Sequence, residues 1–138
     1  MAASSLLIAS PREQEPGVID EDHLRRVTLG DRSLEREVLE IFARQTVVLL
    51  ERMAGMESAF AAAAAHTLKG SARGVGAWRV ARAAERVEEA AGEGRDAAMQ
   101  AAIAELETAT SEARAAIGAR LGGAAGGVDR AVRQYRGA

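Results

Sequence analysis

The stretch RDAAMQAAIAELETATSEARAAIGARL, Arg95 to Leu121, decides the fold. It holds no proline, and its apolar or small positions Met99, Ile103, Leu106, Thr110, Ala113, Ile117 and Leu121 recur at spacings of four and three. That is the seam of a long helix in a left-handed bundle, since residues three and four apart share one face. Such a helix needs partners, and working outward supplies them. The Gly92-Glu-Gly94 break separates it from a segment of about Ala77 to Ala91, with Val80, Ala84, Val87 and Ala91 on one face. Before that, Gly74 and Gly76 are expected to end a helix of about Glu57 to Ala72, which aligns Phe60, Ala64, Leu68 and Ala72. Further upstream, about Arg32 to Met53 carries the stripe Leu34, Val38, Ile41, Phe42, Val48, Leu49 and Met53, with Gln45 as its polar exception, and Gly55 marks its end. Asp20 reads as the N-cap of a short first helix carrying Leu24 and Val27 and ending near Gly30, after which Asp31 caps the next. The sequence therefore predicts an all-α fold: an antiparallel up-and-down four-helix bundle with a short additional N-terminal helix.

Three segments follow. Residues 1–16 read as a flexible N-terminal tail, 17–121 as the helical bundle, and 122–138 as a Gly-rich linker, Gly122 to Gly127, with a charged C-terminal tail. The Leu6-Leu7-Ile8 run is short, lacks a basic leader and is followed by Pro11 and Pro16, so it reads as neither signal nor membrane span, and a cytoplasmic protein is expected.

Composition removes whole classes of function. A formal net charge of −2 with 28% charged residues of both signs leaves no basic stripe for nucleic acid. With no cysteine, thiol nucleophiles and cysteine zinc sites are excluded. The two histidines, His23 and His66, stand far apart without metalloprotease spacing, so no metal site is expected. There is no Gly-rich loop followed by Lys-Ser or Lys-Thr, and the chain is too short for a kinase ATP-binding domain beside the bundle.

What remains is one segment. At about 100° per residue, His66 points more than a quarter turn from the expected Phe60–Leu68 core face, together with Lys69, Gly70 and Arg73. A neutral imidazole keeps a lone pair near pH 7 and can attack phosphorus without an auxiliary base. Lys69, one turn on, can set its ammonium against phosphoryl oxygens. Ala59, Ala62, Ala63 and Gly70 leave a low surface around the ring, which another protein's active site can cover.

The run His66-Thr-Leu-Lys-Gly-Ser-Ala72, with Val75-Gly76-Ala77, Val80 and Val87-Glu88, resembles the signature of histidine-containing phosphotransfer (HPt) domains. Ile19-Asp20, Leu24, Gly30-Asp31 and the Leu34 to Met53 helix resemble that family's opening, so the likeness covers roughly Val18 to Leu121. It implies that His66 is the phosphoacceptor, that Lys69 stabilises the phosphoryl oxygens and that Gly70 gives clearance to a partner. Glu88 falls where the family often has Gln or Glu hydrogen-bonded to the inner ring nitrogen. A carboxylate accepting from Nδ1–H would fix the tautomer that leaves Nε2 free, as the triad aspartate does in hydrolases. Gly70, Ala62, Ala63 and Arg73 are the expected docking residues. The resemblance implies a phosphocarrier rather than an enzyme, monomeric and without a cofactor. Its partners would be the receiver domain of a response regulator and a sensor or hybrid histidine kinase, and Mg²⁺ would come with the receiver. The Ala61 to Ala65 run, valines at positions 75, 80 and 87 and Trp78 depart from the family's commoner residues, which touches packing and partner choice.

Other readings are weaker. A helical adaptor that binds a receiver or kinase without accepting phosphate leaves His66, Lys69 and Gly70 unexplained together. A fragment of a chemotaxis-type kinase is disfavoured by the tails, and a dimerising kinase core by the lack of a Glu-Leu-Arg-Thr-Pro type of run after the histidine. His23 reads as an ordinary surface residue, and Trp78 as packing under the turn or edging the core rather than recognising a ligand. Arg82, Glu85 and Glu105 read as a solvated face.

Overall fold

A computed structural model describes residues 18–54, 57–93 and 96–122. They form five helices, α1 (Glu21–Thr28), α2 (Arg32–Met53), α3 (Ser58–Val75), α4 (Trp78–Gly92) and α5 (Asp96–Arg120), with no strand among them. Helices α2 to α5 close a four-helix ring in which α3 and α4 share the most extensive interface and α2 and α5 the least, and α1 lies across α2 and α3. The tails expected at residues 1–16 and beyond Gly122, and the breaks at Gly55 and Gly94, lie outside the described residues.

The caps follow the sequence closely. The Asp20 carboxylate accepts from the His23 backbone N–H at 3.1 Å, and Asp31 accepts from Leu34 N–H at 3.0 Å, each satisfying a donor that the first turn of a helix cannot use itself. Gly74, expected to break α3, stays within it. The left-handed residue that ends the helix is Gly76, at φ +84°.

The core contains the whole α5 seam from Met99 to Leu121, with Val80, Ala84 and Val87 of α4 and Ala64, Leu68 and Ala72 of α3, while Ala91 is half-buried. Three helices depart from the expected faces. On α3, Phe60 is 60% exposed, and on α1, Val27 is exposed while Leu24 is fully buried. On α2, the buried set is Glu35, Leu39, Phe42, Ala43, Thr46, Val47, Leu49 and Met53, whereas Leu34 and Ile41 are exposed and Val38 and Val48 half-buried. The helix thus carries two stripes about 100° apart, and the one facing inward includes two polar residues. Both are satisfied. Thr46 Oγ1 donates to the Ala43 carbonyl at 2.7 Å, and Glu35 takes Arg120 Nη2 at 2.8 Å, with Thr28 Oγ1 at 3.3 Å. Arg120 also donates through Nε to Glu21 at 2.9 Å, so the last residue of α5 ties α1 and α2 to the bundle. The Arg120 hydrogen bond holds the Glu35 carboxyl below the usual carboxylate range in spite of its burial.

At the same end, the α3–α4 turn is joined to α1. Asp20 N–H donates to the Gly76 carbonyl at 3.0 Å, and Trp78 Nε1–H donates to Asp20 Oδ2 at 2.9 Å. The His23 ring meets Trp78 edge-on at 5.0 Å, so His23 is half-buried rather than a plain surface residue. A Cβ on Gly76 would lie 3.1 Å from both Asp20 Cβ and its carbonyl oxygen, in addition to the left-handed backbone. Gly76→Ala is expected to cost at least about 1–2 kcal/mol from the backbone alone. For a domain of this size, that lowers Tm by roughly 5–15 °C, measured by circular dichroism. An unchanged Tm would mean that the turn is not held as described.

Among the described residues, no helix is long and apolar enough to cross a membrane.

Candidate functional site around His66

Alanines set the geometry of the site. Ala61, Ala65 and Ala72 on α3 and Ala81, Ala83 and Ala84 on α4 are buried, and side chains this short let the two helices approach closely enough for Glu88 to reach across to α3. Glu88 Oε2 lies 2.8 Å from His66 Nδ1, and its other oxygen, Oε1, lies 2.7 Å from Lys69 Nζ. One carboxylate therefore joins both chemically capable side chains of α3. The exposures differ sharply: the His66 side chain is 71% exposed, Glu88 23% and Lys69 16%. The imidazole stands clear of the surface while the groups beneath it are mostly covered.

Burial pushes the Glu88 carboxyl up, but hydrogen bonds from Lys69 and His66, with their charges, outweigh it and leave Glu88 below its ordinary value. An ionised carboxylate only accepts, so the hydrogen in the 2.8 Å contact sits on Nδ1. In a neutral ring with Nδ1–H, the lone pair is on Nε2, the nitrogen that faces away from Glu88.

The expected residues are brought together. His66, Lys69, Gly70 and Arg73 lie on one side of α3, with Gly70 and Arg73 exposed, Ala63 exposed and Ala62 half-buried. A Cβ at Gly70 would meet nothing within 4 Å, so the space above it is open. Two features were not anticipated from the sequence. The Lys69 ammonium is engaged by Glu88 rather than held free, an i to i+19 pairing across helices that no local spacing announces. The exposed apolar residues Leu34 and Ile41 form an outward stripe on α2, a helix packed against α3. By hydropathy these two residues belong to the expected core stripe, yet they face outward. Among the described residues, no group of three or more His, Asp or Glu side chains could hold a metal ion.

No curated protein matches this chain. Among solved structures, it is similar to a rice protein described as a histidine-containing phosphotransfer protein, with a TM-score of 0.70 over 94% of this chain and 92% of that one, at 18% identity. At that identity, the likeness speaks for the fold. The family model for the Hpt domain matches residues 37–116, more than half of the chain and the part that holds His66, Lys69, Gly70 and Glu88. The chain thus belongs to the Hpt domain family, with a phosphotransfer role in two-component signalling.

Proposed function

We propose that this protein carries a phosphoryl group on Nε2 of His66, taking it from the receiver aspartate of a sensor or hybrid histidine kinase and giving it to that of a response regulator. The observation that carries this reading is the exposed imidazole whose Nδ1 is occupied by Glu88 at 2.8 Å, leaving Nε2 to face solvent. The chain supplies the nucleophile. The receiver supplies the electrophile's surroundings, Mg²⁺ included, so the reaction is shared and the chain acts as a phosphocarrier rather than an enzyme with its own nucleotide site. Gly70, Ala62, Ala63 and Arg73 form the ground on which the receiver sits, and Glu88 fixes the ring and its tautomer.

Lys69 has two tasks in this scheme. In the resting protein its ammonium neutralises Glu88, and with a phosphoryl group on the ring it gains a second anionic partner one helical turn away. Lys69→Ala is expected to slow transfer from a phosphorylated receiver by about ten- to a hundredfold, the worth of a hydrogen bond to a charged group at roughly 1.5–3 kcal/mol. Initial rates of label transfer measure this, and a normal rate would remove Lys69 from the scheme. The reading as a whole is tested by mixing the protein with candidate receivers phosphorylated on aspartate and following the label. Acid-labile, base-stable phosphate on this chain supports it. Label that leaves every receiver only as inorganic phosphate contradicts it.

A further inference from the structure

Resting on the carrier role of His66, we propose that Glu88 also governs departure: it keeps the phosphorylated ring protonated at Nδ1, so that the phosphoryl group remains transferable at neutral pH. The electron balance makes this a separate demand from orientation. When Nε2 attacks, its lone pair forms the N–P bond, and the bond between phosphorus and the donor's carboxylate oxygen breaks with its electrons going to that oxygen. The ring still carries Nδ1–H and is now cationic. On the outward step, an acceptor carboxylate oxygen bonds to phosphorus, the N–P pair returns to Nε2, and the ring is neutral again, its Nδ1 proton never having left. If that proton were lost between the two steps, Nε2 would have to depart as an anionic imidazolate, a far poorer leaving group.

The geometry favours retention of the proton. Glu88 Oε2 lies 2.8 Å from Nδ1 on a carboxylate that is 77% covered and held ionised, which is the arrangement by which a buried aspartate stabilises an imidazolium in hydrolases. Lys69 and Arg73 are the cations on the ring's own helix face, and from α4 the ring meets Glu88. Lys69 opposes a cationic ring only while it shares Glu88, at 2.7 Å from Oε1. A phosphoryl dianion on Nε2 draws that ammonium toward itself and leaves more of the carboxylate's charge to Nδ1–H.

The test loads ¹⁵N-labelled wild type and Glu88→Gln chemically with phosphoramidate, so that no receiver is needed. The loss of phosphohistidine is then followed by ³¹P NMR between about pH 5 and 9. Gln retains a carbonyl oxygen that can accept from Nδ1–H, so it preserves the ring's hydrogen bond while removing the charge, together with the acceptor for Lys69. Near pH 8 the variant is expected to lose its phosphoryl group roughly tenfold more slowly than wild type, with the two rates converging toward pH 5 as solvent protonates the ring. The ¹⁵N shift of Nδ1 in phosphorylated wild type at neutral pH should be that of a protonated nitrogen. Coincident pH profiles, or an unprotonated Nδ1 in wild type, would overturn the inference and leave the carrier role intact. Failure of wild-type His66 to accept a phosphoryl group from phosphoramidate at all would overturn both, since each requires a free Nε2.

Discussion

His66→Gln is expected to remove every trace of acid-labile phosphorylation by a phosphorylated receiver while leaving the helical fold and its Tm essentially unchanged. The structural half of that expectation follows from position. The His66 side chain is 71% exposed and is hydrogen-bonded to the bundle through Glu88, so its loss removes little packing. The chemical half follows from the nature of the nucleophile. A carboxamide has no basic nitrogen to offer phosphorus, and nothing else on this face replaces it: Lys69 is engaged by Glu88, and Thr67 Oγ1 donates to the Ala63 carbonyl at 3.2 Å. His23, the other histidine, meets Trp78 edge-on and has a buried Nε2 without a hydrogen-bond partner, so it is no substitute. Label retained by the variant in acid-labile form would place the acceptor elsewhere.

The two phenylalanines give the sharpest contrast in stability. Phe42 is 1% exposed in the centre of α2, and truncating it removes a large buried ring from a core otherwise built from aliphatic side chains and methionine. Phe42→Ala is expected to cost about 3–5 kcal/mol, the range for a buried aromatic whose cavity cannot fully collapse. Against the roughly 5–15 kcal/mol that holds a typical domain folded, this approaches loss of the native state. Phe60→Ala, the same chemical change on α3, is expected to shift stability by no more than about 0.5 kcal/mol, because that ring is 60% exposed. Urea unfolding of both variants decides the matter. Equal destabilisation would mean that the face of α3 has been assigned wrongly.

That contrast also shows how far sequence reading reaches. The α5 seam, the Asp20 and Asp31 caps and the α4 face were legible because a helix with one apolar stripe has one possible inward side. Helix α2 has two. Its inward stripe contains Glu35 and Thr46, which look solvent-facing until Arg120, from the far end of the chain, and the Ala43 carbonyl are seen to satisfy them. Its outward stripe, Leu34 and Ile41, looks like core by hydropathy alone. Phe60 misled for the same reason: hydropathy does not say which side of an alanine-rich helix meets a neighbour when Ala61, Ala64 and Ala65 pack as well as a larger residue. Glycine's poor helix propensity makes Gly74 and Gly76 equal candidates for the stop, yet the turn is placed by Gly76, the glycine with a positive φ and with Asp20 crowded against it.

At the site, the relative phase of His66, Lys69, Gly70 and Arg73 was legible because all four sit on one helix. Glu88 came into view through the family resemblance, since no rule of spacing connects residues on different helices. Its second bond, to Lys69, was hidden for the same reason. That bond changes the resting picture of the site from a free ammonium waiting for phosphate to a Lys69–Glu88–His66 cluster in which one carboxylate is shared.

The central claim is that Nε2 of His66 is the atom that bears the phosphoryl group, and ³¹P–¹⁵N correlation NMR on the ¹⁵N-labelled protein after incubation with a phosphorylated receiver tests it most directly. The account predicts one phosphorus signal coupled to a single ring nitrogen, Nε2 of His66, and absent from His66→Gln. A signal coupled to Nδ1, a signal assigned to His23, or phosphate esterified to a hydroxyl would contradict it.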